Sequence, residues 1–267
     1  MLEVITRHPT QAISDTPLLF VHGILHGAWC YDTFFLPYFA KQGYHASALS
    51  LRGHAGSPNV GTFPLTGIND YVKDVAEVAA KLEREHGKRP IVLGHSMGGL
   101  IVQKYLEKYD APGAALLASV PVGGALGSLL KATLKYPIAL TLATLTTDMK
   151  RFFVGNPKAI RWAFFSETMP EAESERYRQQ MSNESVRAIL DLALFNPPRP
   201  SRMKKVPMLV IHGETDTLFT DRDERKTATV YNADFAALPN TAHDVMLEAT
   251  WQQAANLIQQ WIKKNNL

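Results

Sequence analysis

A single cysteine, Cys30, is all the thiol that the 267-residue chain contains. No internal disulfide can form, and nothing in the sequence calls for an oxidising compartment. Charge of one sign is also lacking: 28 Lys and Arg stand against 25 Asp and Glu, a formal net charge of +3. That balance is too even for a surface that tracks phosphates, so nucleic acid is excluded as the expected partner. No stretch approaches the ~18 uninterrupted apolar residues of a membrane span, and stable membrane insertion is not expected. The opening Met1-Leu-Glu-Val-Ile-Thr-Arg-His lacks the basic and then apolar regions of a secretory signal, which makes the cytoplasm the expected compartment. Internal repeats and low-complexity tracts are absent. The nine histidines form no H-E-x-x-H, one cysteine rules out a thiolate cage, and neither a G-x-G-x-x-G nor a P-loop follows a strand pattern. No metal or cofactor is implied.

What the chain does have is apolar residues, 46% of the total, enough to bury one large core. Short runs rich in Leu, Ile and Val are continuous rather than alternating, at Pro17–His22, Pro90–Leu93, Ala114–Ser119 and Pro207–His212. Strands of that kind are covered on both faces, as in a parallel sheet. Helical stretches lie between them, notably Asn69–Glu85, Met97–Tyr109 and Thr250–Lys264. Strand and helix in alternation imply right-handed βαβ crossovers and therefore an α/β fold with a mostly parallel central sheet flanked by helices.

The alternation stops after Val120 and resumes at Lys204. Residues 1–120 and 204–267 are thus read as one core domain, and 121–203 as an inserted helical cap with two further helical patterns. From Gly113 to Thr147 the only charges are Lys131 and Lys135, which is unusual for a segment outside the main core.

One motif carries chemistry directly. The strand pattern Ile91-Val-Leu93 runs into Gly94-His-Ser96-Met-Gly98-Gly99 and then a helical pattern. A G-x-S-x-G at a strand-to-helix turn holds its serine exposed and strained, and only small neighbours permit that geometry. A serine hydroxyl needs a base to take its proton and an acid to orient that base, in the chain order Ser, Asp or Glu, His. His243 is the only histidine after His212, so order selects it as base. For the acid, the turn His212-Gly-Glu-Thr-Asp216 offers Glu214 and Asp216. Asp216 is preferred because Glu214 falls within the immediate strand-to-turn segment, and Asp221 is a third choice. Two backbone donors must face a developing oxyanion. The expected pair is the Met97 amide and, from the loop Val21-His-Gly-Ile-Leu25, that of Ile24, with Leu25 next. Histidines 22, 95 and 212 are read as loop scaffolds, and Cys30 as a small buried thiol.

With these residues in place, the chain resembles the α/β-hydrolase superfamily over essentially its whole length. Phe20-Val-His-Gly23 resembles that family's oxyanion loop, and Ser50-Leu-Arg-Gly-His-Ala-Gly-Ser57 its loop after the second core strand. Gly94–Gly99 resembles the nucleophile elbow, His212–Asp216 the acid loop and Ala242-His-Asp244 the histidine loop. The elbow is similar to those of bacterial esterases and monoacylglycerol lipases, and His22–Cys30 to the matching segment of plant methylesterases and hydroxynitrile lyases. In those lyases a lysine usually follows the catalytic histidine; here Asp244 stands there. Family members usually begin with an antiparallel hairpin, and with about 16 residues before Pro17 one or both of its strands are expected to be short or absent.

The resemblance implies an α/β-hydrolase fold and an esterase or lipase-like serine hydrolase. Its expected substrate is a small-molecule carboxylic ester of an apolar acyl group, cleaved through an acyl-enzyme. Leu25 and Leu142 are expected to line the acyl pocket under the cap. Thioester or carbon–carbon bond cleavage on the same triad, and a ligand-binding receptor built on a hydrolase scaffold, stay open as alternatives. A homodimer is compatible with the sequence.

Overall fold

The computed structural model describes all residues, 1–267. In chain order the core runs β1 (Val4–Arg7), β2 (Leu18–Val21), α1 (Trp29–Asp32), α2 (Phe35–Lys41), β3 (Ala46–Leu49), α3 (Ile68–His86), β4 (Ile91–His95), α4 (Met97–Leu106) and β5 (Ala114–Leu117). The chain then leaves the sheet for α5 (Leu126–Lys135), α6 (Pro137–Thr146), α7 (Pro157–Phe164), α8 (Glu171–Gln180) and α9 (Val186–Leu190). It returns for β6 (Met208–Gly213), α10 (Asp221–Tyr231), β7 (Asp234–Leu238) and α11 (Trp251–Lys264).

The seven strands lie in the order β1-β3-β2-β4-β5-β6-β7. Only β1 is antiparallel, paired with β3 from Val4 opposite Leu49 to Arg7 opposite Ala46. At this edge of the sheet stands one four-residue strand, short as expected. Every residue of β2, β4, β5 and β6 is buried, which is why these strands read as unbroken apolar runs rather than alternations. Their side chains still alternate between two cores. Leu18 and Phe20 join a 41-residue cluster that also holds residues of α2, α7 and α11. Leu19 and Val21 join a 28-residue cluster with α3 and α4.

Helix α3 carries its apolar face at Val72, Val75, Ala79 and Leu82 and ends at Gly87, whose φ of 72° suits a left-handed cap. The pattern expected to run to Tyr109 stops at Leu106, where the amides of Lys108 and Tyr109 both turn back to the Tyr105 carbonyl.

Between β5 and β6 the structure holds more helices than the two patterns expected. Pro137 and Pro157 each occupy a first helical position, so what reads as continuous helicity is cut into short segments. A π-helical turn, Lys150–Val154, lies between α6 and α7, and a second, Asp191–Phe195, runs on from the end of α9. No helix is long and apolar enough to cross a membrane.

Candidate active site

Ser96 caps the N-terminus of α4 at φ 52°, ψ −118°. For a residue with a Cβ, a backbone of this kind costs about 1–3 kcal/mol and persists only where its surroundings impose it. They do so here by close packing. A Cβ at Gly94 would lie 2.3 Å from the Gly98 carbonyl oxygen, and one at Gly98 would lie 2.2 Å from that of Val21. Main-chain bonds hold the turn: the Ser96 amide donates to Leu117 O at 3.1 Å, and Ser96 O accepts from Val120 N at 3.1 Å. The α4 N-terminus behind the serine favours negative charge.

His243 follows β7. Its Nδ1 lies 2.8 Å from Asp216 Oδ2, with both side chains fully buried. The other Asp216 oxygen accepts the amides of Leu218 at 2.7 Å and Phe219 at 3.2 Å, so the carboxylate has no freedom to rotate. A carboxylate can only accept, and the proton on His243 therefore sits on Nδ1, leaving Nε2 with a lone pair. That Nε2 is buried and makes no hydrogen bond within the protein. The ring packs against Phe219, Phe164 and His95 at centroid distances of 5.4, 5.9 and 4.8 Å. The other two candidate acids lie elsewhere: Glu214 is exposed, and Asp221 begins α10, where it pairs with Arg225 at 2.7 Å.

The expected backbone donors are both unengaged. Ile24 N makes no hydrogen bond within the protein, and Met97, as the first residue of α4, has no intrahelical partner for its own. Leu25 N, the second choice, is taken by Glu184 Oε2 at 3.3 Å. It is Leu25, and not Gly23, that adopts the left-handed backbone of this loop, with φ 67°.

Above Ser96 lies a cavity of about 330 Å³, to which 15 hydrophobic residues contribute among 20 lining it. Ile24 and Ser96 form its floor, and Leu129, Leu140, Phe153 and Leu192 come from the inserted helices and π turns. Two pocket residues expected from the sequence lie outside it. The Leu25 side chain is fully buried in the core cluster of α2 and α11, where its left-handed backbone sends it. Leu142 is 39% exposed; it follows Leu140 by two positions, about 200° around the helix, and so misses the face that Leu140, Thr141, Thr144 and Leu145 present to the cavity.

Four buried histidines fall into two kinds. His22 Nδ1 donates to Gly23 O at 2.8 Å while its Nε2 accepts from Leu51 N at 3.0 Å, a neutral ring. His95 Nε2 donates to His243 O at 3.0 Å and fixes the histidine loop. Burial, together with the positive charge of neighbouring imidazoles, holds both well below the usual histidine pKa. His26 and His54 differ, because each has acceptors on both nitrogens. His26 meets Ile24 O at 2.7 Å and Asp244 Oδ2 at 2.9 Å. His54 meets Arg52 O at 3.2 Å and Glu184 Oε2 at 3.0 Å. A ring that donates twice is an imidazolium. Burial opposes that charge most strongly, but the adjoining carboxylate and the backbone acceptors together outweigh it and raise the pKa in each case. His26, His54, Asp244 and Glu184 were not among the expected site residues; the His22–Cys30, Ser50–Ser57 and Ala242–Asp244 segments contain three of them, but their pairing leaves no local trace.

Cys30 is fully buried, and burial pushes its thiol well above the usual range, consistent with a packing role.

A mostly parallel sheet with a strained serine after its central strand, a His–Asp pair on the loops after later strands, and helices inserted after β5 defines an α/β-hydrolase. Within that class, residues 14–250 match the family described as serine aminopeptidase, S33, and the chain belongs to it. A rice protein named esterase PIR7B (Oryza sativa subsp. japonica) is 32% identical over 118 residues, which span 42% of this chain and 41% of the relative. The match thus covers well under half the length of that plant esterase. A monoacylglycerol lipase of Mycolicibacterium smegmatis is 25% identical over 231 residues, 84% of this chain and 80% of the relative. Among solved structures, a thermophilic esterase from Thermogutta terrifontis superposes with a TM-score of 0.77 at 17% identity, covering 100% of this chain and 94% of that one. MenH from S. aureus gives 0.75 at 18% identity, with full coverage of both chains. At such identities the structural likeness speaks for the fold.

Proposed function

We propose that this protein hydrolyses carboxylic esters of apolar acids through a covalent acyl-enzyme. The observation that carries the reading is the buried 2.8 Å contact between Asp216 and His243, whose ring packs on Phe164 and Phe219, two residues of the apolar cavity that Ser96 also lines. In this reading His243 Nε2 takes the Ser96 proton as Oγ attacks the ester carbonyl. The amides of Ile24 and Met97 receive the negative oxygen, and His243 returns the proton to the departing alcohol. Water, deprotonated by the same nitrogen, then attacks the acyl carbon, and His243 gives that proton to Ser96 Oγ as the acyl–Oγ bond breaks and the acid leaves. The names of the rice esterase and the mycobacterial monoacylglycerol lipase support ester chemistry.

The family description speaks of peptide cleavage. The cavity's polar lining consists of hydroxyls, at Ser128, Thr133, Thr141 and Thr144 besides Ser96, which suits an uncharged chain better than a peptide's ammonium terminus. A lyase reading would want a cation beside His243, and Asp244 there is a carboxylate bound to His26.

The test is a series of nitrophenyl esters from acetate to decanoate. Each methylene that enters an apolar cavity adds ~0.8 kcal/mol of binding at most, so kcat/KM should climb with chain length and then level off once the cavity is filled. Acetate as the best substrate, or no turnover of any ester, overturns the proposal.

A further inference from the structure

The amide assigned to the oxyanion hole, that of Ile24, belongs to a loop whose peptide planes are held one by one. A peptide unit is rigid, so the Ile24 N–H shares its plane with the Gly23 carbonyl, and its direction is fixed by what holds that carbonyl on one side and the Ile24–Leu25 plane on the other. That carbonyl accepts from His22 Nδ1 at 2.8 Å. The next plane, which joins Ile24 to Leu25, is gripped at both ends. Its carbonyl accepts from His26 at 2.7 Å, and its N–H donates to Glu184 Oε2 at 3.3 Å. The Leu25 carbonyl in turn accepts from Ser182 N at 2.7 Å. Both polar backbone groups of the left-handed Leu25 are thus satisfied by residues 182–184, which lie in the inserted segment and not in the core.

Glu184 is 1% exposed and every acceptor site that it offers is used. Besides Leu25 N, Oε2 receives His54 Nε2 at 3.0 Å, and Oε1 receives Tyr71 Oη at 2.9 Å and Ser185 N at 2.8 Å. A desolvated carboxylate with an imidazolium and three further donors is anchored in charge and in place. It is a firm point against which a strained turn can be held.

We propose that Glu184 is a positioning residue for the oxyanion hole: paired with His54, it fixes the Leu25 amide and through it the aim of the Ile24 N–H. The inserted helices then do more than cover the cavity, since one of their residues completes the hole beneath it. The inference rests on the reading of Ile24 as an oxyanion donor.

The experiment compares wild type, Glu184→Ala and Glu184→Gln on nitrophenyl acetate and nitrophenyl octanoate, together with the affinity for an alkyl boronic acid, which adds Ser96 Oγ and forms a tetrahedral anion in the hole. Loss of a whole oxyanion donor costs about 10²–10³ in kcat, and a misdirected one should cost less. Glu184→Ala is expected to lower kcat on both esters by one common factor of at least roughly tenfold, with KM nearly unchanged and boronate binding weakened in parallel. Glu184→Gln keeps an oxygen for Leu25 N and should recover most of the rate. If Glu184→Ala does not fold, Glu184→Asp, which keeps the charge but withdraws it from Leu25, should still lower kcat severalfold at constant KM. A folded Glu184→Ala or Glu184→Asp with kcat within twofold of wild type overturns the inference, as does a loss confined to the KM of octanoate, which would mean a loosened cavity. Ser96→Ala, assayed in parallel, separates the two claims. Activity surviving there overturns the hydrolase reading and this inference with it; activity lost there but intact in Glu184→Ala overturns the inference alone.

Discussion

Ser96 sits where two glycines allow its neighbours' backbones to pass within contact distance, and its hydroxyl supports little of the core. Ser96→Ala should therefore abolish ester turnover, by at least about 10³-fold in kcat, while the melting temperature stays nearly constant. A purified variant that retains a tenth of the activity removes Ser96 from the chemistry. Asp216 is tied to both the His243 ring and two backbone amides, so Asp216→Asn disturbs the histidine tautomer directly. It should reduce kcat by about 10³–10⁴-fold, whereas Glu214→Gln and Asp221→Asn, altering exposed side chains, should stay within severalfold. A larger loss from Asp221→Asn would assign the acid differently. These residues are legible in the sequence because each is written into a short local turn beside a strand pattern. His26 with Asp244 and His54 with Glu184 are not, since the partners stand 218 and 130 positions apart and no local pattern announces a contact of that range.

At the scale of elements, the strands are legible because burial on both faces leaves unbroken apolar runs, and α3 because nineteen residues sustain one period. The helices after β5 are less so: Pro137 and Pro157 divide the stretch, α6 between them has little amphipathic contrast, and which of its residues face the cavity depends on how it docks. That is why Leu142 misleads and Leu129, on α5, does not come forward. The difference is measurable. Leu129→Asp would place a carboxylate against a bound alkyl chain and should lower kcat/KM for octanoate at least roughly tenfold more than for acetate, because a desolvated charge beside methylenes is costly. Leu142→Asp, at a half-exposed position off the cavity face, should leave the octanoate-to-acetate ratio near that of wild type. Parallel losses on both esters in a folded Leu129→Asp would mean that α5 is packing and not pocket wall.

Across the whole molecule the buried ionisable groups act on stability in opposite directions with pH. His26 and His54 have pKa values raised from 6.5, so their contribution is complete below 6.5 and is lost as pH climbs through the folded-state values. His22 and His95 are held well below 6.5; the unfolded chain takes up their protons first, and stability falls as pH drops beneath 6.5. The four together should place the maximum melting temperature near pH 6.5, with a flatter alkaline limb in His54→Gln. Glu224 adds to the alkaline decline. It is fully buried with both carboxyl oxygens unpartnered, and burial, with the charges of Asp216 and Asp223, raises its pKa well above 4.5. Keeping it protonated costs more as pH rises, so Glu224→Gln should melt higher than wild type at pH 8, by roughly 2–4 °C for each kcal/mol recovered. The gap should close toward pH 4, where both states are protonated; equal melting curves at pH 8 would show that Glu224 is not held neutral.

The central claim is that a serine at the floor of an apolar cavity carries the acyl group of an ester. Rapid quenching of the enzyme with nitrophenyl octanoate, followed by intact and peptide mass spectrometry, tests it most directly. The account predicts one octanoyl group per chain, located on Ser96, formed within the burst of nitrophenol release and absent from Ser96→Ala. An adduct on another residue, or turnover at the wild-type rate with no adduct at any quench time, would contradict it.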